Sequence, residues 1–174
     1  MMTNGKKLAI KVFAYGSVAF IIYCAVKGLL VKEIAPNAGR AVFMRSSLPH
    51  IASTTSGGDA SIGLRSISVV TWNVWFGEFT MEKRYDEILS ICKSLSADVI
   101  CFQEVTTAFV GKIREHSLAN HYDISDYYLD GSTLGLYGVL TMSRRELNAS
   151  FQWNDLPTEM DRKLLTATFS TPAG

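Results

Sequence analysis

The apolar and polar positions fall into three regimes along the chain. Val12 to Val26 is an uncharged run of fifteen residues, and admitting Lys11 and Lys27 at its rims extends it from Leu8 to Val31. A spanning helix needs about 20 apolar residues, whereas the core of a secretory signal needs only about 7–15. The apolar residues fill every face of a helix, not one stripe, which argues against a helix of the globular domain. Lysines at the rims can carry their charge to the headgroups. The pattern predicts one membrane-inserted helix over residues 8–31, a single-pass N-terminal anchor. Secretion after signal cleavage is the alternative, although Tyr23-Cys24-Ala25-Val26-Lys27 lacks a small-x-small cleavage site.

Residues 46–65, SSLPHIASTTSGGDASIGLR, have the composition of a flexible linker, and the lone His50 in it reads as a loop residue. Ordered pattern begins at Ile67. Ile67 to Asn73 is β-rich and apolar, as expected of a strand buried on both faces. Thr80 stands where it would cap a helix from Met81 to Leu95, with Tyr85, Ile88, Leu89, Cys92 and Leu95 at helical spacing. Ala97 to Glu104 follows as a second buried strand. Strand, helix and strand within forty residues predict a right-handed crossover between parallel strands. Neighbouring strands would bring Asn73 and Glu104 to one carboxyl edge, where open α/β sheets bind ligands.

Downstream, a helix is predicted from Thr107 to His116. A hairpin follows, from Tyr127-Tyr128-Leu129 through Asp130-Gly131 to Leu136–Met142. Phe151–Trp153 and Leu164–Phe169 supply two more strands. His116 and His121, at a helix end and in a loop, read as structural.

Composition alters this picture in two places. Three cysteines, an odd number without a C-x-x-C, exclude a disulfide scaffold and a zinc site, so Cys92 and Cys101 read as small core residues. The net charge of +1 conceals a split. Residues 1–45 carry seven Lys/Arg against one acid, whereas residues 66–174 carry nine against fourteen, or −5. Such a body lacks the basic footprint of a DNA-binding surface. The flanks of the apolar run are nearly matched in charge, so the side of the membrane stays open. The sequon Asn148-Ala149-Ser150 would suit a lumenal domain.

The pairing of Thr71-Trp72-Asn73 with Gln103-Glu104 across one helix resembles the opening of the endonuclease/exonuclease/phosphatase superfamily. Tyr137-Gly138-Val139-Leu140-Thr141-Met142-Ser143-Arg144 is similar to that family's Gly-aliphatic-aliphatic-Ser-Arg strand. Met160-Asp161-Arg162-Lys163-Leu164-Leu165 resembles a strand of the tyrosyl-DNA phosphodiesterase branch. The resemblance implies the first part of a four-layered α/β sandwich, with two packed sheets and outer helices. It also implies a magnesium-dependent phosphoester or phosphodiester hydrolase, with manganese as a substitute. Glu104 would be the metal-binding carboxylate, and Asn73 would contact the metal or the scissile phosphate. Arg162 would meet the substrate phosphate. Magnesium suits such a site, since it takes one or two carboxylates plus waters and phosphate oxygens.

The family completes its site with a later Asp-x-Asn and a terminal Asp-His, and neither follows Glu104 here. The resemblance therefore implies an incomplete domain over residues 66–174, inactive by itself. Its inner sheet face would lack a partner, leaving Val139, Met142 and Leu165 poorly covered. Nucleic acid, phospholipid and inositol phosphate all remain open as substrate. Two other classes compete: a membrane-tethered, non-catalytic interaction protein derived from the family, and an unrelated α/β domain. A structure with Asn73 and Glu104 far apart would favour the last.

Overall fold

The computed structural model describes residues 7–14, 20–23, 29–34, 41–47, 66–157 and 163–170. Within these, the chain is a mixed α/β protein with two sheets and a few helices. The N-terminal strands are Lys7–Ala14 (β1), Phe20–Tyr23 (β2), Leu29–Ile34 (β3) and Ala41–Ser47 (β4). Ser66–Asn73 (β5), Met81–Leu95 (α1) and Val99–Val105 (β6) form the crossover unit. Thr107–Glu115 (α2), Tyr122–Ile124 (β7), Gly138–Arg144 (β8), Ala149–Asp155 (β9) and Lys163–Ser170 (β10) complete the described elements.

The six-stranded sheet runs β3-β4-β5-β6-β8-β7, and the four-stranded sheet β2-β1-β10-β9. β5 and β6 pair in parallel, with Asn73 opposite Gln103, as the crossover requires. The Asp98 carboxylate sets the start of this pair. It accepts from the Ser68 backbone N–H at 2.7 Å and the Ser68 hydroxyl at 2.6 Å. Its backbone carbonyl accepts from the Arg144 N–H at 2.9 Å, joining β8 to the same point.

Helices cover one face of the sheet. Val70 and Trp72 of β5, Ile100 and Phe102 of β6, and Leu140 and Met142 of β8 bury themselves there against Tyr85, Ile88, Leu89 and Phe109. Phe109 meets Phe102 and Tyr85 edge-on, with centroids 5.0 and 4.8 Å apart, the arrangement that aromatic quadrupoles favour. Lys112 of α2 reaches Glu82 and Asp86 of α1 at 2.8 and 3.0 Å and ties the two helices at the surface. On the opposite face, Ile67, Val69, Val99 and Cys101 pack against Leu147, Ala167 and Phe169. Val139, Met142 and Leu165 are all buried, contrary to the expectation of an uncovered face. Met142 is buried on the helix side, while β10, which carries Leu165, packs on the opposite face, and β1 extends its sheet along the other edge of β10.

The stretch expected as one helix over residues 8–31 contains β1, β2 and part of β3 instead. Hydropathy alone does not separate a helix from buried strands. The run is rich in Ile, Val, Phe and Tyr, and the backbone edges of β10 and β4 offer it hydrogen-bonding partners. Among the described residues no helix is long and apolar enough to cross a membrane, which says nothing of crossing by strands. Ser46 and Ser47, expected in the linker, end β4. The hairpin expected from Tyr127 also shifts: its first strand is Tyr122–Ile124, and residues 125–137 form a long loop before β8. His50 and Arg162 lie outside the described residues.

Candidate active site

At the carboxyl edge of β5 and β6 the Asn73 Nδ2 donates to Glu104 Oε1 at 2.8 Å. The two residues that the crossover was expected to bring together are in direct contact. The wide separation that would have favoured an unrelated domain is not found. What the spacing did not indicate is how Glu104 comes to face Asn73. Residues alternate sides along a strand, and Phe102 points to the helices. Strict alternation would send Glu104 the same way. A bulge between Gln103 and Val105 intervenes, with Glu104 as the extra residue at φ 55°. Val105 then packs with Phe102 on the helix-covered side, and the carboxylate is turned to Asn73. A positive φ at a non-glycine residue stores strain, on the order of 1–3 kcal/mol, and such strain gathers at functional sites.

The Asn73 amide is held at both ends. Its Oδ1 accepts from the Trp75 N–H at 2.9 Å, which fixes Nδ2 toward the carboxylate. Asn73 therefore spends its Nδ2 on positioning Glu104 and accepts the Trp75 N–H on its Oδ1. Glu104 is a single partly buried carboxylate with one oxygen engaged by the amide. That donor set matches an ion that completes its shell with water and phosphate. Among the described residues no group of three or more His, Cys, Asp and Glu gathers as a metal site.

Beneath the pair lies a polar layer. Gln103 Nε2 donates to Thr71 Oγ1 at 2.9 Å and to the Cys101 carbonyl at 3.0 Å. Gln103 Oε1 is buried without a partner among the described residues. Thr141 and Ser143 lie along the same side of β8, both buried. None of these positions is distinguishable by alternation from an ordinary core position, so the polar layer was illegible except as residue types.

Arg84 is the second residue that sequence reasoning missed. Its guanidinium donates to the Val74, Trp75 and Gly77 carbonyls at 3.3, 2.9 and 2.7 Å, and also to that of Phe79. It also lies 4.7 Å from the centre of the Trp75 ring. One helical side chain thus holds the whole loop that follows Asn73. Thr80 does not cap α1: it sits at φ 48° and its side chain accepts no capping bond. Thr106 does cap α2, accepting from Phe109 N at 3.3 Å.

His116 takes a structural part. His116 Nδ1 accepts from Leu118 N at 3.2 Å, and burial, helped by Lys93, lowers its pKa. Burial pushes the Cys92 thiol up to about 12, which removes it as a nucleophile.

Residues 70–171, more than half of the chain, match the model of the Endonuclease/Exonuclease/phosphatase family. No curated protein and no solved structure is found to match.

Proposed function

The chain belongs to the endonuclease/exonuclease/phosphatase family of phosphoester hydrolases, and we propose that Glu104, positioned by Asn73, is the metal-binding carboxylate of a magnesium-dependent phosphoester site. The contact between Asn73 Nδ2 and Glu104 Oε1, made at the cost of a strained bulge, carries this reading. A divalent ion held by Glu104 would supply positive charge to the phosphate as its ester bond breaks. Glu104 binds, and Asn73 sets the rotation of the carboxylate so that its second oxygen faces the site. Second-sphere partners of this kind change metal affinity by about 10–100-fold.

Hydrolysis forms one P–O bond to water and breaks another to the leaving group, while a base takes a proton from the water. A positioned base is worth about 10²–10⁴-fold. Among the described residues no group of three or more His, Cys, Asp and Glu gathers that could hold a metal ion. The 174-residue chain should therefore bind a divalent ion weakly and turn over phosphodiester, tyrosyl-DNA and inositol-phosphate substrates at background rate. The second reading is a non-catalytic, binding-only interaction protein derived from the family, which would hold no metal ion at Glu104.

Manganese, which broadens nearby NMR signals, tests the site directly. Broadening is expected around residues 73–75 and 104, reduced tenfold or more in apparent affinity by Glu104→Gln and less by Asn73→Ala. Broadening that Glu104→Gln leaves unchanged would refute the assignment. Magnesium-dependent turnover that Glu104→Gln abolishes would overturn the claim of an incomplete site and the binding-only reading together.

A further inference from the structure

Six large apolar side chains are exposed among the described residues: Trp75, Phe76, Phe79, Tyr127, Tyr128 and Leu136. All six lie on two loops, residues 74–80 after β5 and residues 125–137 before β8. Both loops leave the sheet at the edge that carries Asn73 and Glu104, because Gly138 at the start of β8 pairs with Val105. Phe76 and Tyr137 join them, with rings stacked at 4.8 Å and 18°. Gathering of these residues on two loops at one sheet edge marks an interaction surface, since scattered single apolar residues would need no explanation.

Both loops are built to hold these side chains outward. Arg84 fastens the first through its carbonyls. Gly77 lets the Trp75 indole lie against the backbone, where a Cβ would meet the ring at 2.6 Å. In the second, the buried Asp126 carboxylate accepts from Gly131 N at 2.7 Å and from the Thr133 hydroxyl at 3.2 Å. Gly131, at φ 78°, packs its backbone on Thr107. The aromatic positions are thus rigid while their rings remain in solvent, so little ordering cost remains when they bind.

We propose that this aromatic rim docks the site onto a zwitterionic lipid surface, so that the phosphoester presented to Glu104 is that of a lipid headgroup. The inference rests on the hydrolase reading for its substrate. Charge and shape select the lipid over a nucleic acid. Neither loop contains Lys or Arg, while Glu78, Asp126 and Asp130 are acidic. Strand binding relies on a basic groove beside its stacking rings. Leu136, 93% exposed, offers no ring face for a base, and Phe79, 76% exposed, stands free of the stacked pair. The one guanidinium beside the rim, that of Arg84 at the Trp75 ring, is engaged by the loop carbonyls, and exposed Trp, Tyr, Phe and Leu are suited to the headgroup–acyl boundary of an uncharged bilayer.

The test uses the full chain and sedimentation with phosphatidylcholine vesicles. Phe79→Ser with Leu136→Ser should lower the partition coefficient about tenfold, because two exposed apolar side chains are lost from the interface. Trp75 emission should be quenched by acyl-brominated lipid, and Trp75→Phe should remove that quenching. Near-ultraviolet dichroism checks that the loop variant is folded. Vesicle binding that the loop variant leaves within threefold would overturn the proposal, including binding carried by residues 1–45. Tighter binding to a single-stranded oligonucleotide than to vesicles, lost in the same variant, would also overturn it. The loop variant should keep manganese broadening, and Glu104→Gln should keep vesicle binding. Loss of the first arm alone sinks the docking, and loss of the manganese arm alone sinks the hydrolase reading.

Discussion

The two faces of the six-stranded sheet solve different problems with the same three strands. On the helix-covered face, β5, β6 and β8 present Trp72, Phe102, Leu140 and Met142 to two helices, and Trp72, Tyr85, Phe102 and Phe109 are fully buried. On the opposite face the same strands begin with Ile67, Val69 and Val99, then turn polar toward the site at Thr71, Gln103 and Thr141. Apolar packing there is confined to one end. The comparison teaches that one face carries the stability and the other spends part of it, leaving Gln103 Oε1 unpaired and Glu104 strained.

The largest test of this division is in the aromatic cluster. Phe102→Ala should cost about 3–5 kcal/mol in urea unfolding, because it removes a ring in contact with Phe109 and leaves a cavity. Phe102→Leu, which keeps most of the volume, should cost clearly less. On the other face, Ile67→Ala should cost about 2 kcal/mol, the low end for such deletions. Equal costs at the two positions would break the comparison.

Glu104→Gly sharpens it further. Removing the side chain from a residue at φ 55° should stabilise the fold by about 1 kcal/mol, after glycine's own entropy cost. The same variant should lose manganese broadening. Stability gained and binding lost in one substitution is the outcome expected of strain kept for function. A destabilised Glu104→Gly would show that the bulge is held by the carboxylate itself.

The smallest effect concerns His116 on the helix-covered side. Its pKa is lowered from 6.5 by burial and then by Lys93, with Asp86 opposing, and its neutral Nδ1 accepts from Leu118. A histidine with a depressed folded pKa stabilises the fold above its unfolded value, and that contribution is lost as pH falls through the folded value. Stability should thus decline below about pH 6.5, by less in His116→Gln. The group is mostly solvated, so the change in the urea midpoint is expected to be small.

Much of the local architecture was legible in the residues. The boundaries of α1 follow from its apolar spacing, and β5, β6, β9 and β10 lie where β-rich runs predict them. The placing of Asn73 and Glu104 at one sheet edge follows from two neighbouring parallel strands. Periodicity failed where partners decide the outcome. The run 8–31 is apolar enough for a helix, yet β1 within it pairs along a sheet edge supplied by residues more than a hundred positions away in β10. Hydropathy counts surface to be buried and is silent on what buries it. Residues 125–137 were expected to begin in a strand, but Asp126 folds them back on themselves through Gly131 and Thr133.

By itself, then, the sequence determined the elements whose signals are local: the period of α1, the β-rich strands and the crossover that orders Asn73 and Glu104 on one edge. Only the tertiary structure decided that Glu104 sits in a bulge, that Asn73 turns its amide to it, that Arg84 holds the aromatic loop, and which face received the second sheet. The physical reason is range. Propensity and periodicity act over a few residues. The turn of a carboxylate, or the closing of a sheet edge, depends on hydrogen bonds between residues distant along the chain, and no window of sequence contains both partners.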